Sequence, residues 1–120
     1  MTKNNRVVSI INMEIMHSVF GHNRTAIYDY IKDFTNESFD LLKQIKQTIQ
    51  HKNKKLAMDY FHQLKGPAGS SGFHRIYQLC EKAEKQIAQE DWNSANKSYD
   101  DIDKILKKLQ IELEKKFEND

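Results

Sequence analysis

A chain of 120 residues has room for one core and not for a catalytic domain plus a regulatory one. Its 19 Lys and Arg against 17 Asp and Glu leave a net charge of +2, a mixed solvated surface and not the charge profile of a nucleic-acid binder. The single cysteine, Cys80, excludes an intrachain disulfide and a cysteine-built zinc cluster.

Residues 1–11 read as a flexible polar arm ending in a β-branched patch of Val7, Val8, Ile10 and Ile11 that docks on the remainder. Ser9 interrupts that patch, which is too short for a signal peptide. No apolar run approaches the roughly 20 residues of a membrane-spanning helix, so no membrane insertion is expected. A reducing cytoplasm is the simple expectation for so little cysteine. The loose start favours a module excised from a longer protein over a complete one.

Met13, Met16 and Val19 or Phe20 predict a short helix ending near Gly21. From about Asn23 to Gln50, Ile27, Ile31, Phe34, Leu41, Leu42, Ile45 and Ile49 recur at helical spacing, with Ser38 as the gap. A slight bend is expected near Thr35-Asn36-Glu37, and a turn at His51-Lys52. Asn53 is a good cap for a third helix, on which Ala57, Phe61, Leu64 and Ala68 share a face. Pro67 lies inside that helix and would clash with the carbonyl of Gln63, which predicts a kink or an early loosening. Gly72 marks the break. Phe73, Ile76, Tyr77, Cys80, Ala83 and Ile87 form the stripe of a fourth helix. Asp91 caps a last one carrying Trp92, Ala95, Tyr99, Ile102, Leu106, Leu109 and Leu113. Amphipathic helices joined by short turns predict an all-α, antiparallel four-helix bundle with a short additional N-terminal helix, residues 12–120 forming one domain.

His62 is the most informative residue. At about 100° per residue it lies roughly 140° from the centre of the third helix's apolar stripe, although it follows the core residue Phe61. Met58, Gly66 and Gly69 share its side and Lys65 lies at the flank. An imidazole facing water, beside a cation and bare glycines, suits a group that another protein must reach.

The stretch His62-x-Leu64-Lys65-Gly66, with Gly72 ten residues after the histidine, resembles the signature of histidine-containing phosphotransfer (HPt) domains. Leu79-Cys80-Glu81 and Ala83-Glu84 resemble the family's next helix. Asp91-Trp92-x-x-Ala95 and the spacing to Leu113 resemble its last helix, and Met13 to Phe34 its lead-in. The likeness thus covers most of the chain. Two departures stand out: Pro67 occupies a place where serine or another small helix former is common, and Gly69-Ser70-Ser71 makes the turn small and polar, which either widens access to His62 or frays the helix.

The resemblance implies that His62 is the phospho-acceptor of a multistep two-component phosphorelay, taking a phosphoryl group from the aspartyl phosphate of one receiver domain and passing it to another. It implies Lys65 as the charge beside the phosphoryl group and Gly66 as the small residue that leaves room. A neutral imidazole, ordinarily near pKa 6.5, is a free nucleophile. The resemblance assigns attack to its outer nitrogen, Nε2. Phosphoryl transfer asks the protein for little beyond positioning and charge. Mg²⁺ is expected on the partner receiver, and no metal or cofactor is assigned to this chain. The resemblance implies a phosphotransfer intermediate without ATP-dependent kinase activity of its own, and the lack of a glycine-rich phosphate loop is consistent with that. Expected partners are response-regulator receivers and a hybrid sensor histidine kinase, with no nucleic acid.

Glu84 has two readings, an acceptor for the inner ring nitrogen or a salt-bridge partner for Lys65. Met58 is a candidate docking residue, and His74 a candidate partner contact near the active surface. Cys80 and Trp92 read as packing residues. His17 and His22, five apart, do not share a helical face, and no metal site is expected from them. Other functions remain open: the phosphotransfer domain of a chemotaxis-type histidine kinase, a helical adaptor that binds receivers without transfer, and a dimeric kinase core. One chain already supplies enough helices for a bundle, so a monomer is expected.

Overall fold

The computed structural model describes residues 9–118. Val7 and Val8, part of the expected docking patch, lie outside them. Five helices follow in order: α1 (Met13–Phe20), α2 (Arg24–Gln50), α3 (Lys54–Ser70), α4 (His74–Ala88) and α5 (Trp92–Phe117). Among the described residues there is no strand, and no helix is long and apolar enough to cross a membrane. The chain folds as an all-helical bundle.

Each of the four longer helices packs on two others, α2 on α3 and α5, and α4 on α3 and α5. The inward stripe of α3 is the expected one: Ala57, Phe61, Leu64 and Ala68 are all buried. Phe73 and Phe34 meet at 4.8 Å between ring centroids. Polar residues on the inner faces satisfy their hydroxyls locally: Thr35 donates to the carbonyl of Ile31, and Thr48 to that of Ile45. Ser98 donates instead to Gln86 on α4. Such partners remove most of the cost of burial. The helix α2 runs unbroken through residues 35–37. The helix α3 runs through Pro67 to Ser70, so the expected early loosening does not occur.

The three turns joining α2 through α5 share one geometry. The last helical carbonyls accept from two successive amides: Lys52 to Ile49 and Asn53 to Thr48, Gly72 to Gly69 and Phe73 to Ala68, Glu90 to Ile87 and Asp91 to Gln86. This closure needs a left-handed residue after the helix, supplied by Lys52 (φ 52°), Gly72 (φ 81°) and Glu90 (φ 58°). Asn53 and Asp91 then cap the next helices by accepting from Leu56 and Ser94.

At 27 and 26 residues, α2 and α5 outrun α3 at 17 and α4 at 15. Their apolar stripes therefore overhang the α3–α4 turn, which Tyr30 on α2 marks by a 2.5 Å hydrogen bond to Ser71. The N-terminal segment covers the overhang. Met16 and Ile11 are buried there. Glu112 of α5 accepts from the backbone amides of Ile10 (2.8 Å) and Ile11 (3.1 Å) and from the Ser9 hydroxyl. Gly72 sits beneath α1, where an added Cβ would fall 2.5 Å from Cδ1 of Ile15.

Gly72→Ala combines an unfavourable φ with that clash and is expected to cost at least about 1–2 kcal/mol in a urea titration. Lys52→Gly, at the matching position of the preceding turn, is expected to raise the urea midpoint.

Candidate functional site

The helical phase of α3 sets the site. Because Phe61 is fully buried against the core, the next residue must point outward, and the His62 side chain is 74% exposed. One turn later Lys65 leans along the flank toward α4, its side chain only 18% exposed. Between the two stands Glu84 of α4, 15% exposed.

This one carboxylate serves both neighbours. Its Oε1 accepts from Lys65 Nζ at 2.7 Å, and its Oε2 lies 3.3 Å from His62 Nδ1. The two sequence readings of Glu84 are thus both realised at once. A carboxylate only accepts, so Nδ1 must carry the hydrogen in this bond. In the neutral ring that leaves the lone pair on Nε2 of this largely exposed side chain.

The hydrogen bond from Lys65 to Glu84 raises the lysine's pKa, against a smaller lowering by burial, and the charges of Glu84, Tyr77 and Glu81 add to the rise. The ammonium is therefore fixed at neutral pH and keeps further N–H donors beyond the one given to Glu84. Beneath the site Cys80 is buried. Its thiol is pushed up to about 12, by burial first and by the Glu84 carboxylate second. It packs as an inert apolar residue.

The glycines divide into two kinds. A Cβ on Gly66, one turn after His62, would meet nothing within 4 Å. The space over Gly66 is open. A Cβ on Gly69 would fall 2.9 Å from Cδ1 of Tyr77, so Gly69 is small because an aromatic ring of α4 lies on it. Ser71 is buried on Tyr30 and the helix does not fray. Met58 is half-buried against the core one turn before His62. His74 is exposed at the start of α4 and lines a separate groove with Ile111 and Lys115 of α5.

The sequence model of the Hpt domain family matches residues 29–115, well over half of the chain. The chain belongs to the Hpt domain family. No curated protein and no solved structure gives a match. The family places this Hpt domain in histidine phosphotransfer of two-component signalling. Three histidines fall in the matched span, His51, His62 and His74. His51 sits in the α2–α3 turn with Nδ1 2.9 Å from the carbonyl of Gln47. Of the three, His62 alone has a carboxylate on its ring and a lysine on the same carboxylate.

Outside the span, the rings of His17 and His22 lie 4.3 Å apart. Helical spacing would separate them, but Gly21 ends α1 and folds His22 back. Among the described residues no third His, Cys, Asp or Glu joins them in a metal-sized group.

Gly66→Ala is expected to hold or raise stability by up to about 1 kcal/mol, the helix-propensity difference. Gly69→Ala is expected to lower it, because the Tyr77 ring must move. Urea titrations of the two variants check the contrast. With its pKa raised, Lys65 contributes stability that is fully present below its ordinary 10.5 and lost as pH rises through the raised value. The stability gap between the native chain and Lys65→Met should therefore be wider at pH 8 than at pH 11.

Proposed function

We propose that His62 is the phospho-acceptor of a multistep phosphorelay, and that this domain, residues 12–120 behind an arm at 1–11, shuttles phosphoryl groups between receiver domains. The observation that supports this most is the exposed His62 ring, held by Glu84 at Nδ1. In this reading α2 to α5 form an antiparallel four-helix bundle with α1 as the additional helix. The protein works as a cytoplasmic monomer, taking its phosphate from the receiver of a hybrid sensor kinase and passing it to a response regulator.

The geometry supports a direct transfer to the ring. The Nε2 lone pair attacks the phosphorus of a receiver's aspartyl phosphate. The bond from phosphorus to the aspartyl oxygen breaks, and the aspartate leaves as a carboxylate with the electron pair. The Nδ1 proton stays in place, and the ring gains positive charge as the N–P bond forms. Glu84 faces that charge through Nδ1. The spare donors of Lys65 are one helical turn away to balance the phosphoryl oxygens, which is the electrostatic help such a transfer needs. Gly66 leaves the approach clear. Mg²⁺, carried by the receiver, supplies the remaining charge. Return of the phosphoryl group to a second receiver reverses the same bonds.

Incubation with a phosphorylated receiver should place acid-labile, base-stable phosphate on the native chain and on His74→Ala, and none on His62→Ala. Label retained by His62→Ala would move the acceptor to another residue.

A further inference from the structure

At the overhanging end of the bundle the N-terminal segment, the start of α4 and the last third of α5 enclose a groove of about 1100 Å³. Its floor is apolar, with Ile76 and Ile105 buried and Ile111 57% exposed. Around it stand Arg75, Lys108 and Lys115, all exposed. None of these three makes an ion pair among the described residues, whereas Lys32, Lys54, Lys55, Lys65 and Lys107 all do. The one carboxylate in the lining, Glu112, is already engaged by the amides of Ile10 and Ile11 and the hydroxyl of Ser9. The α4 helix begins in the same groove. Its cap residue, Phe73, offers no side-chain acceptor to the first-turn amides, unlike Asn12, Asn23, Asn53 and Asp91 at the other helices. The positive end of that helix adds to the cationic rim.

We propose that this groove is a second docking surface, and that its occupant is an acidic amphipathic segment of a partner protein. Charge complementarity selects the sign: unpaired cations and a helix N-terminus around an apolar floor favour carboxylates flanking aliphatic anchors. The concave shape fits a peptide segment better than a planar lipid surface. The chain's own residues 1–8 carry Lys3 and Arg6 and no acid, so like charge disfavours them as the occupant. Along α4, His74 and Glu84 are ten residues apart, about 15 Å of helix, so the groove and the His62 face are separate places on the molecule. Such a surface would tether a partner while His62 remains accessible, raising the local concentration of a receiver linked to the same segment.

The test is fluorescence anisotropy with the full chain and a labelled peptide of Leu at helical spacing with Glu elsewhere. A peptide of equal charge with Ser in place of Leu, and vesicles containing phosphatidylserine, serve as competing probes. Saturable binding of the Leu/Glu peptide is expected. It should weaken at least about tenfold in the Arg75→Glu, Lys108→Glu, Lys115→Glu triple variant and in Ile111→Ser, and it should persist in His62→Ala. All four positions are exposed, and circular dichroism checks that each variant keeps its helices. The proposal is overturned if the peptide fails to saturate up to about 1 mM or binds the triple variant equally. It is overturned too if the Ser/Glu peptide binds as well, or if only the vesicles bind. Phosphate transfer to His62 is a separate readout, so failure of the groove leaves the acceptor assignment standing and the reverse also holds.

Discussion

A single carboxylate organises the face of this domain. Glu84 reaches from α4 to α3 and accepts from a lysine and an imidazole at once. Because a carboxylate has no hydrogen to give, it dictates what each neighbour is. It raises the pKa of Lys65 above its ordinary value, and it commits Nδ1 of His62 to the hydrogen, leaving the lone pair on the other nitrogen. Free imidazole has no such commitment. The same two contacts tie α3 to α4 beside His62. His62 stays largely in water, and in the better buried pair, Lys65 and Glu84, the direct bond offsets the cost of desolvation.

The second constraint is the mismatch in helix length. Long α2 and α5 helices leave apolar surface beyond the α3–α4 turn, and α1 with Ile10 and Ile11 covers it. Gly72 answers to that packing as well as to its own left-handed turn. Its place ten residues after His62 thus reflects the distance from the site to the end of α3, not chemistry at the imidazole. Among the described residues the covering is incomplete, and the uncovered part is the cationic groove.

Much of this was legible in the sequence wherever a local period or a local hydrogen bond decides the outcome. The stripe at Ala57, Phe61, Leu64 and Ala68 fixes the phase of α3, and with it the exposure of His62. Asn53 and Asp91 announce helix starts because their side chains bond within three residues. What was hidden depends on partners far along the chain. Gly69 reads as open space near the histidine, yet the Tyr77 ring fills that space. Lys52 and Glu90 take left-handed turns that glycine would have signalled, and nothing local betrays them. His17 and His22 meet through a turn that helical spacing does not describe. Glu84 was recognisable as a neighbour of the site, but not as the acceptor shared by two groups, because that needs the relative height of two helices. The groove joins three segments separated by the length of the chain, and no motif encodes it.

The most direct measurement is the nitrogen-15 spectrum of the His62 ring at a pH where the ring is neutral, in the native chain and in Glu84→Ala. The native ring should show a protonated Nδ1 and a bare Nε2, and the variant should shift toward hydrogen on Nε2. A native ring that carries its hydrogen on Nε2, unchanged when Glu84 is removed, would contradict the role given to that carboxylate and the nucleophile it prepares.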